Sequence, residues 1–533
     1  MKYNNILKHF GWVCLLSLTW VGCTDWDDHY DEEGKQIAAD NTLWEEIVAR
    51  PELSDFKECL ERYGYKEKLN GTQMYTVFAP VGKMDTINLT DTKIQTEVIE
   101  NHIARFAHSA NSATNDKSVV MLNTKAINFT QVGDSVYMFG DKKLTGEYNI
   151  RAKNGVLHVI EGQQPFAHNI WEYLTTDTRF DNVRNYLYSF NDTILDENKS
   201  IKGEINANGQ QEYLDSVIYI YNELFYAIGK LNDEDSTYTM ILPTNEAWDE
   251  AYGRIQEYYI YSEREAKYDS LQKRATGLAV VRDLVFSHTM QGSVEDSLVS
   301  TTGGVFENPF EYILADYTDS TQCSNGEVFV VNELKHKPWD SWHEEITVEV
   351  EKTNALNVDT VLEKNAIIYR RDLSNADSLY TKVSGGSFLE VVDRNTKSHP
   401  SLTFNVWNTL KGKYDLKIVF LPQKMATSRV KTLLPNLFKV EYSCLKQKRV
   451  SNADDWMTKK ARIGGNSKTF KNDPLKIDTV FIGTIDTQCC SYGTETPDLQ
   501  ITVESYWSRN NTNKKKYSTT MLIDCIILEP SKE

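Results

Sequence analysis

The sequence predicts an α+β chain in which two copies of one small α/β unit are followed by an all-β sandwich. Two observations lead there. The string Tyr75-Thr76-Val77-Phe78-Ala79-Pro80 returns as Tyr238-Thr239-Met240-Ile241-Leu242-Pro243, and each copy has the same company. A helix opening lies upstream (Leu43-Trp44-Glu45-Glu46-Ile47, then Ile170-Trp171-Glu172-Tyr173-Leu174), and an Asn-Gly turn with an apolar strand lies downstream (Asn154 to Ile160, then Asn325 to Val331). From about Glu344 the texture changes to period-two alternation with no convincing helix. Repetition of a whole order of elements decides an architecture before any local pattern does. At 533 residues and 40% hydrophobic content there is ample material for three cores of ordinary size.

Residues 1–22 read as a leader outside the fold. Lys2 and Lys8 form a short positive head, and Phe10 to Val21 is mostly apolar but too short to span a bilayer comfortably. The run ends in Val21-Gly22-Cys23, which resembles a bacterial lipoprotein signal, although Trp20 stands where such signals usually carry leucine. The resemblance implies cleavage before Cys23 and lipid attachment at Cys23. The alternative is an ordinary secretory signal with an incidental cysteine. Residues 23–39 form an acidic tether; Thr24-Asp25-Trp26-Asp27-Asp28-His29-Tyr30-Asp31-Glu32-Glu33 resembles the surface-export signal of lipoproteins in a group of Gram-negative gut anaerobes. That likeness implies an outer-membrane protein, lipid-anchored and facing the cell exterior, and a solvated charge run is the plain alternative. A multi-acyl anchor holds because each buried methylene contributes about 0.8 kcal/mol.

Charge narrows the partners. Removing residues 1–22 deletes two lysines and no acids, taking the formal charge from −18 to −20. Such a balance disfavours nucleic acid and anionic lipid surfaces. No second apolar stretch approaches spanning length, so the lipid is the only expected membrane attachment. Cys59, Cys323, Cys444, Cys489, Cys490 and Cys525 remain after processing, none at zinc-ligand spacing, so no metal or other cofactor is expected. Buried thiols are the first reading, with a disulfide from Cys444 to Cys489 or Cys490 left open.

The repeat is uneven. Trp44 and Trp171 are 127 positions apart, Pro80 and Pro243 are 163 apart, and Gly155 and Gly326 are 171 apart. The second copy therefore carries 36 extra residues between its first helix and its apolar strand, and 8 more before the closing hairpin. The larger insertion includes Asn191 to Asp215, whose polar, glycine-containing composition reads as a surface loop or flap. After Pro243, Thr244-Asn245 reads as a helix cap, and Ala247 to Leu271 reads as helix. A strand apolar throughout, such as Tyr75 to Ala79, suits a position covered on both faces. Pro80, without an amide donor, then stops the ladder. Asn154-Gly155 reads as the positive dihedrals of a tight turn, and His102, His158 and His288 read as hydrogen-bonded core histidines.

Tyr-Thr-Val-Phe-Ala-Pro, then Asn101-His102-Ile103, then Asn154-Gly155-Val156-Leu157-His158-Val159-Ile160 together resemble the fasciclin-like domain; the second copy supplies the Pro243-Thr244-Asn245-Glu246-Ala247-Trp248 that the first lacks. The resemblance covers roughly residues 40 to 342. It implies fasciclin-like domains at 40–167 and 168–343, each a small β-sandwich-like wedge flanked by helices, used in adhesion and extracellular recognition. A Tyr-His pair serves integrin adhesion in animal members; the equivalent positions read Asn101-His102 and Ser287-His288 here, so that activity is not carried over.

Residues 344–533 read as the sandwich. Strands are expected at Ile346–Glu351, Leu402–Trp407, Tyr414–Leu421, Leu499–Trp507, and around Phe438–Tyr442, Asp478–Ile485 and Thr520–Leu528. The closing Ile523-Asp524-Cys525-Ile526-Ile527-Leu528-Glu529 faintly resembles the last strand of a galactose-binding-type jelly roll. Sugars are held by stacking on exposed aromatic rings, which makes Trp456 and Tyr492, in polar segments between strands, the candidate ligand-binding residues; Trp407, inside a strand, reads as core. The plainer reading packs both rings against their own domain. No Gly-x-Ser-x-Gly, His-Glu-x-x-His or phosphate-cradling loop occurs, so no catalytic residue is assigned and the chain is not expected to be an enzyme. Asp-Ser/Thr followed by an aliphatic residue or threonine recurs at Asp85, Asp134, Asp192, Asp215, Asp235, Asp269, Asp296, Asp319, Asp359, Asp377 and Asp478. It resembles a bacterial O-glycosylation acceptor, against which stands ordinary turn chemistry, preferred at Asp478.

Fasciclin-like lipoproteins with this opening commonly accompany TonB-dependent glycan uptake systems. The resemblance implies an accessory that binds an extracellular glycan or a neighbouring outer-membrane uptake protein. The alternatives are an adhesin or matrix-contact protein without a nutrient role, and a glycan-active enzyme.

Overall fold

A computed structural model describes residues 40–112, 118–133, 136–195, 197–198, 200–206, 208–215, 218–287, 297–351, 361–395, 399–427, 432–449, 456–507, 510 and 512–532. The leader with Cys23, the acidic tether and His288 lie outside them, as do Asp134, Asp296 and Asp359. The fold is α+β and rich in strands, and the chain divides into two compact units between Ala167 and His168.

In the first unit, helix Leu43–Val48 begins at a reciprocal cap: the Glu45 amide donates to Thr42 Oγ1, and the Thr42 amide donates to the Glu45 carboxylate at 2.8 Å. Strand Tyr75–Pro80, buried along its length, pairs in parallel with Gly155–Ile160 and antiparallel with Ile103–Arg105. Ile150–Ala152 closes the sheet against Gly155–Ile160. Both central strands are apolar because helices cover one side and a second sheet, Ser118–Val120 to Lys142–Lys143, lies in the same unit. Pro80 still pairs, with Ile160, and ends its strand.

The second unit repeats this order. Helix Ile170–Tyr173 has the same cap, from Asn169 and Glu172. Strand Tyr238–Pro243 lies parallel to Gly326–Val331 in the identical register, Tyr238 against Gly326 as Tyr75 is against Gly155. Val285–Phe286 and Tyr317–Cys323 flank the pair.

The register changes one equivalence. Thr76 pairs with Ala104 and Thr239 with Phe286, so Asn101-His102 corresponds to Asp283-Leu284 and not to Ser287-His288. Asp283 does the work of Asn101. Asn101 is buried and reaches the Gln164 and Pro165 carbonyls beyond the last strand of its sheet. Asp283, also buried, accepts from Ser300, Thr302 and Ser341, again tying the strand to the exit segment. Neither copy has the Tyr-His pair at these positions.

The Asn-Gly turns are built differently from the sequence expectation. Only the glycines have positive φ, +149° at Gly155 and +141° at Gly326. A Cβ on either would stand 1.8 Å from a carbonyl oxygen of the parallel strand, Tyr75 or Tyr238. The asparagines are there for their amides. Asn154 accepts from the Leu43 amide at 2.8 Å and donates to the Leu69 and Gly71 carbonyls. Asn325 accepts from the Ile170 amide at 2.9 Å and donates to the Leu231 and Asp233 carbonyls. Each buried side chain thus pins the first helix of its copy to the central sheet.

Two further expectations are corrected. Asn191 to Asp215 is not a loop: Asn191–Leu195 pairs with Ile218–Asn222, and Ile201–Ile205 pairs with Gln211–Asp215. The composition is polar because two-stranded ribbons leave both faces to water, not because strands are missing. The helix expected over Ala247 to Leu271 is split into Asn245–Ile255, capped by Thr244, and Tyr268–Val281. Tyr259 and Tyr261 between them are buried against the sandwich, a tertiary demand that overrides helical periodicity.

The sandwich faces two six-stranded sheets across one core, with Phe404, Tyr414, Phe420 and Phe438 fully buried at its centre. Met521–Pro530 is central, pairing with Ile346–Glu349, Ser387–Asp393 and Gly412–Phe420. Ala366–Asp372 and Ser387–Asp393 were not expected; Ile367 and Tyr369 are exposed on the outer strand, so the alternation is weak there. Trp407 is corrected from core to half-buried: it follows strand Ser401–Val406, and its indole donates to the Glu495 carbonyl at 3.3 Å. All six cysteines among the described residues are buried thiols outside any disulfide, Cys444, Cys489 and Cys490 included.

Candidate functional site

The segment between the split helices forms a strap from the second repeat to the sandwich. The Tyr258 carbonyl accepts from the Lys411 amide at 2.9 Å, the Ile260 carbonyl accepts from the Cys490 amide at 2.7 Å, and the Glu263 amide donates to the Gln447 carbonyl. Side chains add to the backbone bonds. Tyr261 donates to the Tyr492 carbonyl at 2.8 Å, and Ser262 donates to the Lys446 carbonyl at 2.7 Å. Behind the strap, Trp342 stacks on His343 at 5.7 Å, and Tyr258 meets both rings edge-on. The Tyr414 hydroxyl accepts from the Leu410 amide and donates to His343 Nε2 at 3.0 Å. Burial lowers the His343 pKa to about 4, which keeps the ring neutral and able to accept that bond.

Tyr492 stands at the mouth of this seam, 39% exposed, with its ring edge-on to Tyr259 at 6.1 Å. The two rings open onto a cleft of about 320 Å³ floored by Ala227, Ala275, Leu278 and Ala279. Arg282 and Thr302 supply its polar edge. Arg282 is oriented by Glu344 at 2.9 Å, and Thr302 is held by the Arg282 carbonyl and Asp283. Burial raises the Tyr259 pKa far above the ordinary phenol value, so its hydroxyl stays protonated. An apolar floor with two rings and a few fixed polar groups is how small-ligand sites are made, and the volume lies in their usual range.

Trp456 is not part of this cleft. It is half-buried on a segment whose backbone pairs with Lys446, and among the described residues no bond or ring contact joins it to Tyr492. Sequence reasoning thus found one wall of the cleft and missed Tyr259, Arg282 and Thr302. The tyrosine cluster at 258–261 was the available signal, absorbed there into an expected helix.

Nucleophile chemistry is poorly served where the side chains come nearest to it. Ser341, Asp283 and His336 adjoin one small cavity, but the serine donates to the carboxylate and the histidine donates to the Asp283 backbone carbonyl at 3.2 Å. A Ser-His-Asp triad places the histidine between serine and carboxylate, which this arrangement does not. Among the described residues no group of three or more His, Cys, Asp or Glu is placed to hold a metal ion, and no helix is long and apolar enough to cross a membrane.

Residues 51–162 match the Fasciclin domain. Inside the Fasciclin match, His102 and His158 are fully buried and fully used. His102 donates through Nδ1 to the Val98 carbonyl at 2.6 Å and accepts at Nε2 from the Gln164 amide at 2.9 Å. Burial holds its pKa down to about 4. His158 accepts from the Asn149 amide and donates to the His108 carbonyl at 2.8 Å. Both belong to the scaffold.

Several solved structures are similar. The FAS1 domain pair of the insect cell adhesion molecule Fasciclin I is 12% identical, over 56% of this chain and 97% of its own, at a TM-score of 0.18. A family 35 carbohydrate binding module from Clostridium thermocellum is 10% identical, over 35% of this chain and 99% of its own, at 0.19. The exo-beta-1,3-galactanase of Phanerochaete chrysosporium is 12% identical over 34% of this chain, at 0.19, and the match spans only 29% of that enzyme. No curated protein sequence matches the chain.

The Asp-Ser/Thr positions fall mostly on the surface: Thr193, Ser270, Ser297, Ser320, Ser378 and Thr479 are exposed, and Thr86 and Ser236 are half-buried. Asp478 itself accepts from the Asp473 amide at 2.7 Å, the turn role expected of it.

Proposed function

We propose that this chain is a lipid-anchored protein of the outer membrane, facing outward through Cys23, that binds an extracellular glycan as an accessory of nutrient uptake and is not an enzyme. The second repeat is read as a second fasciclin-like domain, and the sandwich as a jelly roll of the galactose-binding type. The cleft between Tyr259 and Tyr492 carries the binding reading. A pyranose ring has an apolar C–H face that stacks on tyrosine, while Arg282 and Thr302 meet its hydroxyls. The acidic balance of the chain also suits an uncharged or cationic partner better than a polyanion.

The test is affinity electrophoresis of the mature chain through gels containing xylan, galactan, galactomannan or polygalacturonate. Retardation in one of these gels, reduced about tenfold by Tyr492→Ala and left alone by Trp456→Ala, supports the reading. Equal retardation of native protein and Tyr492→Ala would remove the cleft from consideration, and release of reducing ends would remove the non-enzyme reading. Anchoring is separate: Cys23→Ala should leave the outer-membrane fraction, and a variant that stays there refutes lipidation. A second reading, adhesion without a nutrient role, is favoured by the Fasciclin match at 51–162. A deletion strain that loses surface attachment but grows normally on every polysaccharide would select it.

A further inference from the structure

We propose that the insertion in the second repeat and the short helix after it, Phe225–Ile228, together form a separate saccharide site, a groove in which one pyranose ring stacks on Tyr226. The ligand class rests on the reading above; the site does not, since it shares no residue with the Tyr259–Tyr492 cleft. The groove measures about 500 Å³ and is lined by Ile194, Tyr221, Asn222, Phe225, Tyr226, Lys230 and Asn232.

Its back wall is rigid. Asn222 is buried and spends its whole amide on the fold, donating to the Leu187 carbonyl and Asn191 Oδ1 and accepting from the Leu224 amide. Phe225 is wedged edge-on against Trp171 at 5.0 Å, and Trp171 stacks on Tyr188 at 4.4 Å. The front is the opposite. Tyr226, the next residue along, is 81% exposed, with its ring 6.0 Å from that of Tyr221 at 54°. A fixed neighbour thus holds out a ring that makes almost no use of its apolar surface in the fold.

Polar groups are placed at the rim and left unspent. Lys230 and Asn232 have no side-chain hydrogen bond or ion pair among the described residues, although acids outnumber bases 76 to 58 in the chain. Two tilted tyrosines beside a free ammonium and a free amide match a pyranose, whose C–H face takes the ring and whose hydroxyls take the donors. An uncharged sugar is favoured over an acidic one because Asp192, the strand partner of Tyr221, and Asp233 flank the groove in the chain. The ribbon wall of Ile194, Tyr221 and Asn222 comes from the insertion that the first copy lacks, whereas Lys230 and Asn232 correspond to Lys68 and Asn70 there.

The same gel series tests it, using the full mature chain with Tyr226→Ala, Tyr226→Phe and Lys230→Gln. Tyr226 is on the surface, so these variants should keep the native melting temperature. Expected is at least a tenfold loss of retardation in xylan, galactan or galactomannan for Tyr226→Ala, a threefold loss for Lys230→Gln, and retention by Tyr226→Phe, because stacking needs the ring and not the hydroxyl. Retardation unchanged in Tyr226→Ala overturns this site while leaving the Tyr492 cleft standing. Equal losses in Phe and Ala overturn stacking. Preference for polygalacturonate over the neutral gels overturns the uncharged class. A native chain retarded by none of the four polymers overturns both sites together.

Discussion

Replacing Asn154 with glycine distinguishes two reasons for an Asn-Gly sequence. If the asparagine served turn geometry, glycine would do as well or better, since it adopts any turn dihedral freely. The structure gives it a different task. Its side chain closes three hydrogen bonds: two buried, from Leu43 N and to the carbonyl of Leu69, and one part-buried, to the carbonyl of Gly71. Losing a hydrogen bond costs about 1 kcal/mol, and stranding a buried group adds about 1–3 kcal/mol. Asn154→Gly should therefore destabilise the first unit by about 3–5 kcal/mol, as should Asn154→Ala. The assay is hydrogen exchange of the full chain followed by mass spectrometry. An opening penalty of that size raises exchange by about two to nearly four orders of magnitude in peptides spanning Leu43–Val48 and Tyr65–Asn70. Peptides from 168–532 should be unaffected, and Asn325→Gly should give the mirror result. Native protection in Asn154→Gly would refute the pinning argument and restore the turn explanation.

Other outcomes follow from the same structure. Gly326→Ala should prevent folding of its repeat because its Cβ would stand 1.8 Å from the Tyr238 carbonyl, whereas Gly303→Ala, at φ +97° with open space around it, should cost only about 1–2 kcal/mol in thermal melts. Asp498 is buried with a short bond from Thr409, and burial raises its pKa to about 7 despite the Thr409 and Ser491 hydroxyls. A carboxyl raised above its unfolded value of about 3.9 binds more protons when folded, so its contribution is complete below that pH and is lost as pH rises to about 7. Asp498→Asn should thus gain stability relative to native protein between pH 4 and 7 and hold a constant advantage above, and a parallel pair of melting curves would refute this. The six buried thiols should react with a thiol reagent only after denaturation, and a non-reducing peptide map that links Cys444 to Cys489 or Cys490 would contradict the free state.

The scaffold was legible where one residue type has one physical use. The paired strands, the capped helices at Leu43 and Ile170, and the alternating strands of the sandwich could all be read directly. The equivalence of Asn101 and Asp283 could not: similarity of letters pointed to Ser287-His288, and only the register within each sheet shows which residues hold the same position. The insertion was misread because a solvated ribbon and a loop share a composition. One ring of the cleft was legible, since Tyr492 in a polar segment stood out, while Tyr259 was hidden in a run that satisfied helical spacing. Its burial depends on a surface more than two hundred residues away, which no local pattern records.

That separation also sets an order on the making of the protein. Tyr261 and Tyr492 are 231 residues apart, as are Glu265 and Thr496, whose side chains also bond. Contacts so distant are slow to form because loop closure precedes any reward. A chain emerging from its N-terminus completes the first unit early, but the strap tyrosines of the second repeat have no cover until the Cys490 region of the sandwich has followed. Until then the second repeat carries an adhesive seam, and the last domain made is also the one that seals it.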